Sequence, residues 1–255
     1  MTRRHFILVA SVLLILAATL VFCCYALVSR HPKWTAYRST QFGDRRVSFL
    51  IVRLPFSLRE YALEADIEHP KTVREWREEL GAEIVFNGSY FNEDGAPSGY
   101  WKLGKGESVV PWPTLEEQAD PHGYSFSLSL GGGGLHLRYL PSAPTEEPIN
   151  EMFLSFPTLI ADRKPLVEED SGQLARRTAV AEDSSGQDYV IVTEEGTLSL
   201  YEFSRWLSEQ PEQFVIAGNL DGGPSTGISI ENGRNDIDVR SSQVPNVVAV
   251  WDADD

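Results

Sequence analysis

Apolar and polar positions change their period several times along this chain. The first pattern is an unbroken apolar run, Phe6 to Val28, with no charge over 23 residues. At about 1.5 Å per helical residue it exceeds the roughly 30 Å hydrocarbon core of a bilayer, so it predicts one N-terminal transmembrane helix. Arg46 to Val52 and Tyr61 to Glu68 then read as strands, parted at Leu54-Pro55. Thr72-Val73-Arg74-Glu75 has the form of a capping box, and Val73, Trp76 and Leu80 supply a helical stripe that Gly81 closes. Glu83 to Phe86 is a short apolar strand leading into Asn87-Gly88-Ser89-Tyr90-Phe91.

Tyr124 to Leu130 alternates strictly, which predicts a strand with Tyr124, Phe126, Leu128 and Leu130 on one face and Ser125, Ser127 and Ser129 on the other. Leu135 to Leu140 alternates as well, and Gly131 to Gly134 joins the two as a hairpin. No phosphate-loop lysine follows these glycines, so they are not read as a phosphate cradle. Pro141 to Pro148 reads as a surface linker. Strands at Thr178 to Ala181 and Tyr189 to Thr193 precede a second capped helix, Leu200 to Glu209, with Phe203, Trp206 and Leu207 on its buried side. Phe214 to Ala217 is a buried strand entering Asn219-Leu220-Asp221-Gly222-Gly223-Pro224-Ser225-Thr226. Gly227 to Ile230, an Asn232-Gly233 turn and Asn246 to Trp251 close the chain. Many strands and two helices predict an α+β fold with a mixed, largely antiparallel sheet. The organisation expected is a stub and anchor over residues 1–30 and one exported domain over residues 31–255.

Arg3 and Arg4 precede the apolar run, which orients the N-terminus to the cytoplasm and the domain to the periplasm or exterior. A cleaved signal peptide is the competing reading, disfavoured by the length of the run and by the lack of a small-x-small site. Cys23 raises a lipoprotein reading, which Leu20, Val21 and Phe22 before it oppose. Both cysteines, Cys23 and Cys24, lie in this run, so the remaining domain has no disulfide and no thiolate chemistry. Setting aside Arg3 and Arg4 leaves 20 basic residues against 37 acidic ones, a formal charge of −17. Such a field excludes nucleic acid as a natural partner, and an anionic ligand would need basic residues close by. The five histidines are scattered with no metal-ligand spacing, and neither a metal nor a cofactor is expected.

Two loops draw attention because each leaves a buried strand and is dense in small polar residues: the one from Asn87 and the one from Asn219. Strand ends present side chains from a rigid support, and paired glycines let a ligand approach the backbone. A tight turn whose Asp221 bonds its own backbone would read the same way.

The stretches NGSYFNEDGAPSGY from Asn87, FPTLIADRKPL around Thr158, ARRTAVAED around Arg177, NLDGGPST from Asn219 and RSSQVPNVVAV from Arg240 stand in an order that resembles the phosphodiester glycosidase family. The resemblance implies a carbohydrate phosphodiester as substrate. It points to Asp221 as the carboxylate at the anomeric centre, either as nucleophile or as activator of water, and to Arg177 as the family's arginine. Departure of a phosphate monoester, whose second pKa is about 6, needs little protonation, so charge stabilisation carries the burden. Arg177 and Arg240 could bind phosphate oxygens, with Ser225, Thr226 and the amides of Gly222 and Gly223 adding hydrogen bonds. Asn87, Tyr90 and Asn219 complete the expected substrate-binding set, with Asn87 and Tyr90 contacting sugar hydroxyls or orienting Asp221. Arg176 reads as a surface ion pair, and Glu93 and Asp94 as solvated loop charges. Pro224 stands where many relatives carry a third glycine, which removes one amide donor.

The expected activity is therefore hydrolysis of a sugar-1-phosphodiester by a membrane-anchored enzyme, with surface polysaccharide or envelope glycan as the setting. The alternative is a non-catalytic module that holds phosphorylated or anionic glycans. A serine hydrolase built on Ser225 is disfavoured, since Gly223 to Gly227 has the Gly-x-Ser-x-Gly spacing without a strand-to-helix context.

Overall fold

The computed structural model describes residues 34–54, 59–104, 108, 110–131, 134–146, 151–231 and 236–252. The expected membrane helix, the Asn232-Gly233 turn and the centre of the glycine hairpin lie outside these residues. Among the described residues no helix is long and apolar enough to cross a membrane. The described sheets and helices belong to one compact unit from Ala36 onward, with β1 beginning one residue earlier.

Strands dominate, and every pairing the register resolves is antiparallel. The largest sheet has seven strands in the order β1 (Thr35–Phe42), β2 (Arg45–Arg53), β12 (Asp188–Glu195), β11 (Thr178–Asp183), β13 (Phe214–Asn219), β9 (Thr158–Ala161) and β10 (Lys164–Pro165). A five-stranded sheet runs β15 (Ile237–Val239), β14 (Ile228–Ile230), β4 (Ile84–Asn87), β16 (Asn246–Asp252) and β3 (Arg59–Ala65). A four-stranded sheet runs β5 (Trp101–Lys102), β8 (Met152–Ser155), β6 (Phe126–Gly131) and β7 (Gly134–Tyr139). The α+β class thus stands, with three antiparallel sheets in place of one mixed sheet.

Helix α1 (Val73–Leu80) begins at Thr72, whose hydroxyl accepts from the Glu75 amide while the Glu75 carboxylate accepts from the Thr72 amide, and it ends at Gly81 with φ 61°. That reciprocal cap contributes about 1 kcal/mol. The helix lays Val73 and Trp76 on Val85, Val247 and Ala249 of the five-stranded sheet. A four-residue turn, α2 (Leu115–Gln118), was not anticipated from the pattern. Helix α3 (Leu200–Ser208) is capped in the same reciprocal way by Ser199 and Glu202. It buries Phe203, Trp206 and Leu207 against Phe49, Ile51, Leu159 and Ala217 of the largest sheet.

Both faces of the alternating stretch around β6 meet the protein interior: Ser125 and Ser127 are buried, and Ser125 Oγ lies 3.2 Å from Thr158 Oγ1. A short hydroxyl that finds a partner can face a core, so alternation alone does not say which side meets water. The small sheet also comes very close to the large one. A Cβ at Gly218 of β13 would stand 2.2 Å from the Phe126 ring, so only glycine lets these strands meet.

Candidate active site

The two loops singled out by the sequence meet at the ends of β4 and β13. Asn87, the last residue of β4, is 1 % exposed and joins both. Its Nδ2 donates to the Asp221 carbonyl at 2.8 Å, and its Oδ1 accepts from Thr178 Oγ1 at 2.8 Å and from the Gly227 amide at 3.1 Å. The Asp221 amide in turn donates to the Gly88 carbonyl at 3.1 Å. Asn87 is thus fully engaged within the protein, and of the two roles expected for it, orienting Asp221 is the one its bonds allow. The first loop is pinned from behind by Asn246, whose Oδ1 accepts from the Ser89 amide at 2.8 Å and whose Nδ2 donates to the Ser89 carbonyl at 3.0 Å.

After β13 the chain turns through a short 3-10 segment, Gly223–Ser225. The Gly222 amide donates to Asp221 Oδ1 at 2.8 Å, and the Gly223 amide donates to the Arg176 carbonyl at 2.8 Å. Both amides are therefore engaged inside the loop, which corrects the expectation that they would donate to a phosphate. Ser225 is buried and hydrogen-bonds the Asp221 carboxyl, so it too serves Asp221. Thr226 is fully buried, and its Oγ1 has no hydrogen-bond partner among the described residues. Burial pushes the Asp221 carboxyl above its ordinary value, with the Ser225 hydroxyl and the Gly222 amide opposing the shift.

Arg177 lies against this loop. A Cβ at Gly222 would stand 3.6 Å from Arg177 Nη1, which places the guanidinium beside the backbone that follows Asp221. Arg177 is 8 % exposed; its Nε donates to the Leu198 carbonyl at 3.2 Å and its Nη2 to the Gln173 carbonyl at 2.8 Å. Among the described residues no carboxylate pairs with it. Burial lowers its pKa, opposed by Tyr90 nearby.

Tyr90 feels both charges. Its hydroxyl oxygen accepts from Asn219 Nδ2 at 2.5 Å, which leaves its own proton free to donate. Burial and then the Asp221 charge raise the phenol well above its ordinary value, with Arg177 working against them, so the hydroxyl stays protonated. Asn219 is completely buried; its Nδ2 also lies within hydrogen-bond distance of the carbonyls of Phe156 and Leu220, so three acceptors share its two hydrogens, and its Oδ1 is a buried acceptor without a partner among the described residues. Asn219 thus orients Tyr90.

Two arginines depart from expectation. Arg176 is no surface ion pair: its guanidinium donates to the carbonyls of Thr193 and Arg240, so it braces the backbone behind the site. The Arg240 side chain is exposed, and Arg240 lines a separate cleft of about 250 Å³ with Thr72, Arg74, Asp238 and Ser241. Asn87, Arg177 and Asp221 are brought together, with Tyr90 on the loop that follows Asn87; the Arg240 backbone meets Arg176, whose own carbonyl accepts from the Gly223 amide. Glu93 and Asp94 are exposed and take no part. Among the described residues no group of three or more His, Cys, Asp or Glu side chains is placed to hold a metal.

Sequence reasoning passed over Tyr124, Phe156 and Thr178. Thr178 could have been noticed because it follows Arg177 in the recognised stretch, and Phe156 because it opens another; Tyr124 carried no signal beyond strand alternation.

The family profile for phosphodiester glycosidases matches residues 80–251. Among solved structures, the catalytic domain of zebrafish N-acetylglucosamine-1-phosphodiester alpha-N-acetylglucosaminidase, auto-inhibited by its pro-peptide, superposes with a TM-score of 0.61 at 16 % identity, over 88 % of this chain and 86 % of that one. A hypothetical protein from Synechocystis follows with a TM-score of 0.53 at 14 % identity, over 85 % of this chain and 61 % of that one. At these identities the two structures share the fold. A comparison with curated protein sequences returns no match. The matched span holds all three strand ends that carry Asn87, Arg177 and Asp221, and this chain belongs to the phosphodiester glycosidase family.

Proposed function

We propose that the chain hydrolyses the bond between the anomeric carbon of a sugar and a phosphodiester oxygen. The observation that carries this reading is a half-buried carboxyl, Asp221, held to the Gly88 carbonyl of the loop that bears Tyr90, with Gly222 beside it packed on the buried Arg177, which has no carboxylate partner among the described residues. Arg177 attracts the phosphate and Tyr90 donates a hydrogen bond to one of its oxygens. Asp221 meets the anomeric carbon. As the bond from that carbon to the phosphate oxygen breaks, its electron pair leaves with the phosphate monoester, which is stable as an anion at neutral pH without a strong acid to protonate it. One carboxylate suffices for either route. As nucleophile it forms a glycosyl ester that water then opens, with retention; as base it takes a proton from the attacking water, with inversion.

The membrane setting rests on the Phe6 to Val28 segment, and envelope or surface polysaccharide is the substrate pool such an anchor would reach. The full-length protein in detergent, offered glycosyl-1-phosphodiesters, should release a phosphate monoester and a free sugar, with product stereochemistry by NMR reporting the role of Asp221. Binding of these compounds without turnover would replace the enzyme by a glycan-holding module.

A further inference from the structure

An aromatic wall stands beside Tyr90, on residues that the catalytic reading does not use. The Tyr90 and Phe156 rings are stacked with centroids 4.5 Å apart and planes 26° from parallel, and Tyr124 meets Phe156 edge-on at 5.0 Å and 81°. All three are only partly buried, although the strands around them are closed. Tyr124 is held by a hydrogen bond with the Ser98 side chain and by the backbone of Gly99, where a Cβ would stand 2.7 Å from the ring. Phe156 is tied to the site through its carbonyl, which accepts from Asn219 Nδ2 at 3.2 Å, and Ser155 next to it donates to the Asn219 carbonyl at 2.6 Å. The wall is therefore rigid, joined to the residue that orients the Tyr90 hydroxyl, and free of ionised side chains of its own.

We propose that Tyr124 and Phe156, backed by Tyr90, form the subsite that takes the pyranose ring of the substrate. A pyranose presents one face of C–H bonds and an edge of hydroxyls, and the C–H face matches the electron-rich face of an aromatic ring. A phosphate has no such face and goes to the cation. The aromatic wall is joined to Tyr90 by ring stacking and Arg177 packs on Gly222 beside Asp221, so the proposed scissile bond would have a ring-binding partner and an anion-binding partner from different elements. Pockets that select small polar ligands are commonly built this way, from apolar walls and a few fixed polar groups. The inference rests on the proposed glycosidase reading and adds that selectivity is exercised on the sugar, by shape.

The test uses the full-length chain and, as probes, the methyl pyranosides of glucose, galactose, mannose and N-acetylglucosamine, with inorganic phosphate as a second ligand. At least one pyranoside should bind the wild type in saturation-transfer NMR. Tyr124→Leu and Phe156→Leu should each weaken it roughly tenfold and raise KM for the matching sugar-1-phosphodiester, with kcat changed less than about threefold and phosphate binding untouched. Tyr124→Phe should bind the sugar as the wild type does, because the ring remains. Absence of pyranoside binding to the wild type, or wild-type sugar affinity in folded Tyr124→Leu, overturns the subsite even if turnover is normal. Ring-dependent sugar binding without turnover of any phosphodiester leaves the subsite standing and removes the catalytic reading. If Phe156→Leu does not fold, Tyr124→Leu decides.

Discussion

Two buried arginines divide this protein into a corner that is electrically complete and one that is not. Arg77, on α1, is 6 % exposed; its Nε donates to Ser229 Oγ at 2.8 Å, its Nη2 pairs with the Asp236 carboxylate, and Glu231 stands 3.9 Å from Nη1. Arg177, at 8 % exposure, makes carbonyl contacts alone through its guanidinium among the described residues. Removing a guanidinium from water is costly, and a protein that does so without supplying a counter-charge keeps the cation ready for one from outside. The difference separates an arginine neutralised within the scaffold from one that is not, something residue type and burial alone would not distinguish.

The comparison can be sharpened by variants on both sides. The largest effect is expected for Asp221→Asn, which should cut turnover by about 10,000-fold or more while inorganic phosphate still raises the melting temperature, since the cation remains. Arg177→Met should lower kcat/KM by about 100- to 1,000-fold and abolish the phosphate-induced shift, with unliganded stability held or improved because an uncompensated buried charge is gone. Unfolding of Arg177→Met would break the comparison. Arg77→Met should do the reverse, costing about 2 kcal/mol in denaturant titrations by leaving Asp236 unpaired, with specific activity of the folded fraction unchanged.

Acid sensitivity distinguishes two carboxyls, one at the candidate site and one away from both arginines. If ionised Asp221 is the working form, its raised pKa places the acid limb of kcat/KM above the ordinary carboxylate value of 3.8, so activity is gained later on the way up from low pH than for a solvated aspartate. A last effect, on stability alone, concerns Asp188, a buried carboxyl whose Oδ1 has no hydrogen-bond partner among the described residues and which burial pushes up to about 7. The fold favours its neutral form, so the stability it allows is present below the ordinary carboxylate range and declines as pH rises toward 7. Asp188→Asn should flatten that decline in pH-dependent melting, and an unchanged profile would show that the group is neutral for another reason.

Much of the scaffold was legible because its signals are local. The reciprocal caps at Thr72 and Ser199 and the stop at Gly81 sit within a few residues of what they bond, so they could be read from spacing. The site was legible only as a set. That Asp221, Arg177 and Tyr90 belong together followed from recognised stretches, but their partners lie far along the chain: Thr178 for Asn87, Asn246 for Ser89, Asn219 for Tyr90. The amides of Gly222 and Gly223 misled for the same reason. A glycine pair advertises a backbone that can approach a ligand, and only the folded loop reveals that Asp221 and Arg176 had already taken the donors. Tyr124 was hidden because an aromatic residue at an alternating position reads as core.

The single amide of Asn87 has a wider implication. It links the end of β4 in one sheet to Thr178 at the start of β11 in another, and to the carbonyl of Asp221 besides. Asp221 is therefore registered to the seam between two sheets and has little independent play. Accuracy of this sort comes from stiffness: such a site accepts what already fits, and under the proposed function inactivation on heating should coincide with melting of the seam instead of running ahead of it.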